Sequence, residues 1–188
     1  MLDISIIIAG SAGEGIQTIG SLLAKVIQAQ GYSVFSWQEY EPQIFSGQNS
    51  YRLRISESLK NAPTITADVL LSMNPKASKK YLPALHKNGI LLSEFPIEGK
   101  HNIVIPFSKI SRGFGKEIFI NTIATGAVCA MLGIENGKLS SIIKDTFSDN
   151  GEFVIINNLQ AAEKGHRLVR VACEYKCPWN LPPISRNT

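Results

Sequence analysis

The chain has 188 residues, which is long enough to bury a full core without disulfides or a metal ion and suits one domain with at most an appendage. It is 44% hydrophobic and 18% charged, and its net charge of +4 is spread out rather than gathered into a basic run with interleaved aromatics, which argues against nucleic-acid binding. The mild basic excess favours an anionic ligand or an acidic partner. Three cysteines, no visible secretory signal and no apolar run near the roughly 20 residues of a membrane span predict a cytoplasmic protein without membrane insertion.

The first half of the chain alternates strand and helix patterns. Short β-branched or alternating runs predict strands at 4–9, 33–37, 51–55, 67–72, 90–93 and 103–106. Apolar residues at helical spacing predict a helix over 16–30 that Gly31 stops, and Asn74-Pro75 predicts the start of a helix that runs to His86. The first 37 residues would form one βαβ unit, and a mixed polar and aromatic loop is predicted over 39–49.

The second half is predicted to be helical. The helices fall at 117–132, 138–147 and 151–174, and the proline-containing segment 176–188 has no periodicity. The whole pattern predicts an α/β, Rossmann-like fold with a mostly parallel sheet flanked by helices and a helical C-terminal part. We expect one domain over 1–175, followed by a linker or tail over 176–188.

A glycine-rich loop joins the first predicted strand to the first helix, and it is the leading candidate site. Gly10, Gly13 and Gly15 have the spacing G-x-x-G-x-G, the reverse of the dinucleotide fingerprint. Glycines let the backbone approach a ligand, and the following helix offers unpaired N–H groups and a positive dipole end. Ser11 also lies in this loop, whereas Glu14 is a poor neighbour for an anion. The alternatives are contact with a phosphate or carboxylate and a tight turn without a ligand.

The loop after the second strand is predicted to lie beside the glycine loop. Glu39 stands near the place where a dinucleotide-binding domain puts an acid on a ribose, and Gly47 and Asn49 end the loop. A solvated loop or a subunit interface are the other interpretations, and the length of the loop favours the interface.

The remaining candidates are weaker. Cys173 and Cys177 lack a second pair of ligands, so a zinc site is not expected. No histidine lies in a catalytic pattern, and Asn121 on a buried helix either satisfies a backbone group or meets a ligand beneath the glycine loop.

Several motifs in order resemble one family. They are Gly10–Gly15 leading into Ser21–Ala24, then Glu39-Tyr40 with Ile44–Asn49 and the strand Tyr51–Ser56, and finally Asn121-Thr122, Gly126-Ala127 and Leu132–Ile134. Together these stretches resemble the gamma subunit or gamma domain of the 2-oxoacid:ferredoxin (or flavodoxin) oxidoreductases of the pyruvate, 2-oxoglutarate and ketoisovalerate types. The resemblance spans about residues 3 to 172.

The resemblance implies an accessory role in a larger enzyme. The family decarboxylates a 2-oxoacid on thiamine diphosphate, passes electrons through iron–sulfur clusters to ferredoxin or flavodoxin, and forms an acyl-CoA. The gamma part would help to shape the coenzyme A region and the assembly with the thiamine-binding and iron–sulfur parts, without catalytic residues and without a cofactor of its own. The three cysteines are too few for a four-cysteine cluster. The residues implied near the coenzyme are Gly10, Ser11, Gly13, Glu14, Gly15, Gly47, Asn49 and Asn121.

One departure and two alternatives accompany this interpretation. The family usually has Arg-Gly-Gly where this chain has Phe45-Ser46-Gly47, and the missing arginine removes a fixed cation that a phosphate could use. The alternatives to the accessory role are a stand-alone Rossmann-type oxidoreductase that binds a dinucleotide and a non-enzymatic scaffold domain.

The end of the chain also resembles the start of a linker to a thiamine domain. We therefore expect the chain to be the N-terminal piece of a longer fused alpha subunit rather than a stand-alone gamma subunit. An intact native mass near that of these 188 residues would contradict this expectation.

Overall fold

The structure is a computed structural model, and it describes residues 2–40, 47–98, 101–174 and 177–184. The chain divides into two compact units, Met1–Gly20 with Tyr32–Pro106, and Ser21–Gly31 with Phe107–Thr188. Across the described ranges, no helix has both the length and the apolar character that a membrane crossing requires.

Strands and helices alternate first and helices follow, as the sequence predicts. The strands are β1 Asp3–Ser11, β2 Ser33–Glu39, β3 Gln48–Ser56, β4 Ala67–Ser72, β5 Leu85–Ser93 and β6 Asn102–Val104. The α-helices are α1 Ile16–Ala29, α2 Pro75–Tyr81, α3 Phe107–Gly113, α4 Ile120–Met131, α5 Asn136–Thr146 and α6 Glu152–Ala172. The α/β class and the helical C-terminal part are confirmed. Helix α3 was not predicted, because two turns are too short to show a clear period.

The predicted helix from Asn74 to His86 is wrong at its C-terminal end. Helix α2 ends at Tyr81, a 3-10 turn follows over Leu82–Ala84, and His86 lies in β5. Pro83 in that turn cannot donate a backbone hydrogen bond and its ring would clash with the preceding helical turn, so the chain leaves the helix and enters the strand earlier than predicted.

The loop predicted over 39–49 is shorter than expected at both ends. Strand β2 continues to Glu39, and β3 already begins at Gln48. The polar residues at the start of β3 belong to the ladder with β1, because Gln48 pairs with Ser11 and Asn49 pairs with Gly10. The predicted loop residues 41–46 lie outside the described residues.

The first unit contains a six-stranded sheet in the order β2-β3-β1-β4-β5-β6. Strand β3 is antiparallel to both β1 and β2, whereas the β1–β4, β4–β5 and β5–β6 pairings are parallel. Three of these five pairings are parallel, which agrees with the mostly parallel sheet. The βαβ unit of the first 37 residues exists in a split form, because β1 and β2 run in the same direction with β3 between them.

Strand β1 is the centre of the first unit. Its residues Ile6, Ile7 and Ile8 are at most 1% exposed, which explains the continuous apolar run. On one face of the sheet, Ile7 belongs to a buried cluster with residues of β4, β5 and α2, including Leu70 and Tyr81. Each such side chain contributes about 1.5–3 kcal/mol when it is fully buried.

The core of the second unit includes a close approach of α4 and α6. A Cβ placed on Gly126 would lie 2.1 Å from the carbonyl oxygen of Ala162, and one placed on Gly165 would lie 2.0 Å from the carbonyl oxygen of Ile123. Any side chain larger than hydrogen at these two positions would push the helices apart.

Residues 177–184 pack within the second unit. Leu181 is fully buried, and its N–H donates to the carbonyl oxygen of Leu132 at 2.9 Å. The N–H of Ile184 donates to the carbonyl oxygen of Gln30 at 2.8 Å. A linker that leads from here to another domain stays a prediction.

Candidate functional site

The glycine loop is a compact turn between β1 and α1. The N–H of Ser11 donates to Oε2 of Glu14 at 2.6 Å, and the N–H of Glu14 donates back to the carbonyl oxygen of Ser11 at 3.2 Å. Gly13 and Gly15 have φ values of +89° and +72°, in the left-handed region that favours glycine. Helix α1 begins immediately afterwards, with the N–H of Ile19 bonded to the carbonyl oxygen of Gly15 at 3.0 Å.

Gly10 has a packing role. A Cβ at this position would lie 2.7 Å from Oε2 of Glu14, 3.1 Å from Cγ2 of Ile16 and 3.2 Å from Cβ of Met73. A side chain here would therefore displace the Glu14 carboxylate and press on two neighbouring segments.

Asn74 connects the glycine loop to the ends of two other strands. Its Nδ2 lies 2.6 Å from Oε2 of Glu14, 2.9 Å from Oε1 of Gln48 and 3.2 Å from Oγ of Ser11. Its Oδ1 accepts the N–H of Ala77 at 2.8 Å and caps α2. The asparagine that opens α2 thus also joins β4 to the ends of β1 and β3.

The start of β3 is held from α2 as well. The carbonyl oxygen of Gln48 accepts hydrogen bonds from Nζ of Lys80 at 2.8 Å and from the hydroxyl of Tyr81 at 2.9 Å. The Lys80 ammonium lies 4.8 Å from the centre of the Tyr81 ring, a cation–π distance. These contacts fix the strand end that borders the glycine loop.

An open cleft of about 400 Å³ lies against the loop. Its lining includes Gly13, Gly15, Gln17, Tyr40 and Asn49. Nε2 of Gln17 donates to the Tyr40 hydroxyl at 2.6 Å, and the Tyr40 side chain is 63% exposed. The first turn of α1 contains no acidic residue, so the unpaired N–H groups and the positive end of the helix dipole favour an anion or a polar group in this cleft.

The structure brings most of the predicted site residues together in the first unit. Those that lie in the glycine loop or at the start of β3 are Gly10, Ser11, Gly13, Glu14, Gly15, Gly47 and Asn49. Asn121 is half-buried in α4 of the second unit, where its carbonyl oxygen accepts the hydroxyl of Thr125 at 2.8 Å. Of the departure at Phe45-Ser46-Gly47, only Gly47 lies within the described residues.

Glu39 is already engaged within the sheet. Its Oε2 lies 3.0 Å from Nη2 of Arg52 and 3.2 Å from Oγ of Ser50. An acid that holds a ribose must keep its oxygens available, and β3 also separates β2 from β1, unlike the strand order of a dinucleotide-binding domain. The ion pair and the strand order therefore favour a structural role for Glu39 over ribose binding.

Sequence reasoning missed the side chains that organise the loop. The sequence pattern marks Asn74 only as the N-cap region of a helix. Its position two residues after a buried strand is, however, a signal that it lies at the same edge of the sheet as the glycine loop. Gln48, Lys80 and Tyr81 gave no such signal, because their contacts depend on β3 pairing next to β1.

Cysteine and histidine side chains have structural surroundings. Burial raises the pKa of the Cys129 thiol to about 12. The pKa of the Cys177 thiol is also raised to about 12, mainly by burial and to a smaller extent by a hydrogen bond with Cys173. Burial lowers the pKa of His166, whose Nε2 lies 2.9 Å from the carbonyl oxygen of Ile134. In the part of the chain that the structure describes, no three His, Cys, Asp or Glu residues are grouped so that they could hold a metal ion.

The chain belongs to the pyruvate ferredoxin/flavodoxin oxidoreductase family, whose family profile matches residues 5–168. It is 29% identical over 145 residues to the 2-oxoglutarate synthase subunit KorC of Archaeoglobus fulgidus, a match that covers 76% of this chain and 78% of that protein. It is 26% identical over 176 residues to the ketoisovalerate oxidoreductase subunit VorA of Methanothermobacter thermautotrophicus, covering 89% of this chain but 37% of VorA. The resemblance predicted from the motifs is thus confirmed at the level of the family.

Two solved structures share the fold. The 2-oxoglutarate:ferredoxin oxidoreductase of Magnetococcus marinus, solved with 2-oxoglutarate, coenzyme A and succinyl-CoA bound, superposes with a TM-score of 0.86 and 24% identity over 98% of this chain and 34% of its own. The gamma subunit of a keto/oxoacid ferredoxin oxidoreductase from Geobacter sulfurreducens superposes with a TM-score of 0.75 and 21% identity over 89% of this chain and 99% of its own. The chain therefore spans about a third of some relatives and nearly the whole of another.

Proposed function

We propose that this chain is the gamma subunit, or gamma domain, of a 2-oxoacid:ferredoxin oxidoreductase. The observation that carries the proposal is the family match over residues 5–168, and the similarity to a 2-oxoglutarate synthase subunit over 76% of the chain supports it. The complete enzyme would decarboxylate a 2-oxoacid on thiamine diphosphate, pass electrons through iron–sulfur clusters to ferredoxin or flavodoxin, and form an acyl-CoA. The thiamine and the clusters would be bound by its partners, in the cytoplasm.

Within that enzyme, we propose that the glycine-loop cleft faces coenzyme A. Gly13 and Gly15 leave the backbone open to a ligand, and Asn49 and the start of α1 offer polar groups beside them. Gly10 and Glu14 shape the loop rather than bind, and Gly47 leads into β3. The role of Asn121 in α4 stays a prediction. Among the described residues, the cleft lining offers backbone, amide and hydroxyl groups, which suits a part that positions the coenzyme while its partners carry out the chemistry.

Reconstitution tests the assembly. The isolated chain is expected to show no turnover of a 2-oxoacid, and turnover should appear when the thiamine and iron–sulfur parts are added. Copurification of the native protein with such parts would agree. If the thiamine and iron–sulfur parts are equally active with and without this chain, the proposal is contradicted.

Two glycine variants test the cleft. Gly13 and Gly151 both have positive φ, +89° and +86°, and a Cβ on either would meet nothing within 4 Å. Valine at either position would be strained, because both glycines have a positive φ that L side chains rarely adopt, at a cost on the order of 1–3 kcal/mol. Only Gly13 lines the cleft, so Gly13→Val should raise the KM for coenzyme A or impair assembly, whereas Gly151→Val should not. An unchanged KM and unchanged assembly in Gly13→Val would contradict a coenzyme-facing loop.

A further inference from the structure

Glu14 places a negative charge between the two glycines of a cleft that is otherwise suited to an anion. Its Oε2 does not stay free, because the N–H of Ser11 and the amide of Asn74 both lie 2.6 Å from it. One of these contacts belongs to the loop itself. The other comes from outside the loop, at the end of β4, and so determines where the carboxylate points.

We propose that Asn74 is a positioning residue that holds the Glu14 carboxylate away from the coenzyme-facing cleft. We call the hydrogen bond from the Asn74 amide to the Glu14 carboxylate the tie. This inference rests on the proposed function, since the tie matters only if an anionic ligand approaches the loop. Gly13 and Gly15 flank Glu14 and give the loop the conformational freedom to turn the carboxylate toward the cleft once the tie is removed. A carboxylate released there would repel the phosphates of coenzyme A.

The amide of Asn74 is what the role requires. Its nitrogen donates toward Glu14 and Gln48, while its oxygen caps α2 through the N–H of Ala77. An aspartate would keep the cap, because aspartate and asparagine are equally good at that position. It would donate nothing and would place a second negative charge against Glu14. The change Asn74→Asp therefore removes the hydrogen bond to Glu14, together with the contacts to Gln48 and Ser11, and leaves the helix start intact.

The test is the steady-state kinetics of the assembled oxidoreductase. Asn74→Asp is expected to raise the KM for coenzyme A roughly five- to tenfold, the size of one additional charge about 4 Å from a phosphate at the dielectric constant of water, as suits an open cleft. The KM for the 2-oxoacid should stay within about twofold, because under the proposed function the 2-oxoacid binds at the thiamine of the partner parts and not in this cleft. Raising the salt concentration should shrink the increase, because the effect is electrostatic.

A second substitution separates positioning from a purely structural effect. In the double variant Asn74→Asp with Glu14→Gln, the introduced amide nitrogen can donate to the introduced aspartate. Because Oε2 of Glu14 meets both Ser11 and Asn74, the glutamine side chain must rotate slightly to keep its oxygen on the N–H of Ser11. The tie is thereby rebuilt with reversed polarity, so the KM for coenzyme A should return to within about twofold of the original value.

The outcomes distinguish the two proposals. If Gly13→Val raises the KM for coenzyme A and Asn74→Asp does not, the positioning role is overturned and the coenzyme-facing cleft stands. If neither variant changes that KM and Gly13→Val also leaves assembly unchanged, the coenzyme-facing cleft fails and the positioning role fails with it. If Asn74→Asp raises the KM for both substrates and Glu14→Gln does not restore them, Asn74 is only a structural residue and the positioning role is overturned.

Discussion

The close approach of α4 and α6 predicts that replacing glycine by alanine lowers the free energy of unfolding at the helix contact, whereas the same change at an exposed helical glycine does not. In Gly126→Ala the added Cβ would lie 2.1 Å from the carbonyl oxygen of Ala162. That oxygen is backbone in the middle of another helix and cannot rotate away. The helices must therefore separate by roughly 1 Å to regain van der Waals distance.

The expected magnitude combines two opposing terms. Overpacking of a core contact costs about 1–3 kcal/mol, and replacing glycine by alanine inside a helix returns about 0.5–1 kcal/mol. The free energy of unfolding should therefore fall by about 1–2 kcal/mol. For a chain of this size, that loss lowers Tm by roughly 2–8 °C.

A matched control is available in the same unit. Gly137 lies in the first turn of α5, is exposed, and a Cβ there would meet nothing within 4 Å. Gly137→Ala should therefore leave stability unchanged or raise it by up to about 0.5–1 kcal/mol. Urea unfolding followed by far-UV circular dichroism measures both variants. If Gly126→Ala is as stable as Gly137→Ala, the close packing of α4 on α6 is wrong.

Three further predictions concern an ion pair, the C-terminal segment and a thiol. The hydrogen bond from Arg54, and after it the one from Lys60, hold the pKa of Asp3 well below its usual range. The ionised Asp3 therefore stabilises the folded chain above the unfolded pKa near 4, and this stabilisation is lost as the pH falls toward the folded pKa. Because both side chains keep some solvent exposure, 31% for Asp3 and 16% for Arg54, Asp3→Asn should cost at most about 1 kcal/mol in urea unfolding at pH 7. A stability gap between variant and parent that does not narrow between pH 4 and pH 2 would contradict the assignment. Leu181→Ala should lower the free energy of unfolding by about 2–4 kcal/mol, because the side chain is fully buried, and a loss below about 0.5 kcal/mol would show that the segment is not packed as described. Cys129, whose pKa burial raises, should resist iodoacetamide in the folded chain and react once denaturant is added, as peptide mass spectrometry would show; rapid labelling without denaturant would refute its burial.

Elements with a strong local signal could be predicted from the sequence. The run at the start of the chain reads as a buried strand because β1 is buried on both faces, and the glycines after it mark a real change of backbone direction. The end of α2 could not be read from apolar spacing alone, because Leu82 and Leu85 continue a helical period across the 3-10 turn. Pro83 was the signal in the sequence that the helix ends here, because proline breaks a helix even where the apolar spacing continues.

Strand order could not be predicted in the same way. The strand at 51–55 was recognised, but nothing local to it indicates that it pairs between β1 and β2. That pairing decides the environment of Gln48, Arg52 and Glu39, and it places Arg52 where it forms an ion pair with Glu39. The contacts of Asn74 also depend on how the strands are ordered. They join strand ends that lie far apart in the chain, since Ser11 and Asn74 are more than 60 residues apart.

The intercalated β3 also constrains the order in which the chain can assemble. In an ordinary βαβ unit the second strand joins the first directly, and the unit can close as soon as it has been synthesised. Here β2 has no partner until β3, which ends at Ser56, is available to pair with both neighbours. During synthesis the N-terminal segment must therefore wait for at least that residue to leave the ribosome before the edge of the sheet can form. Until then, an aromatic strand carrying Phe35 and Trp37 stays unpaired, and an unpaired strand of this kind can pair with another chain and aggregate.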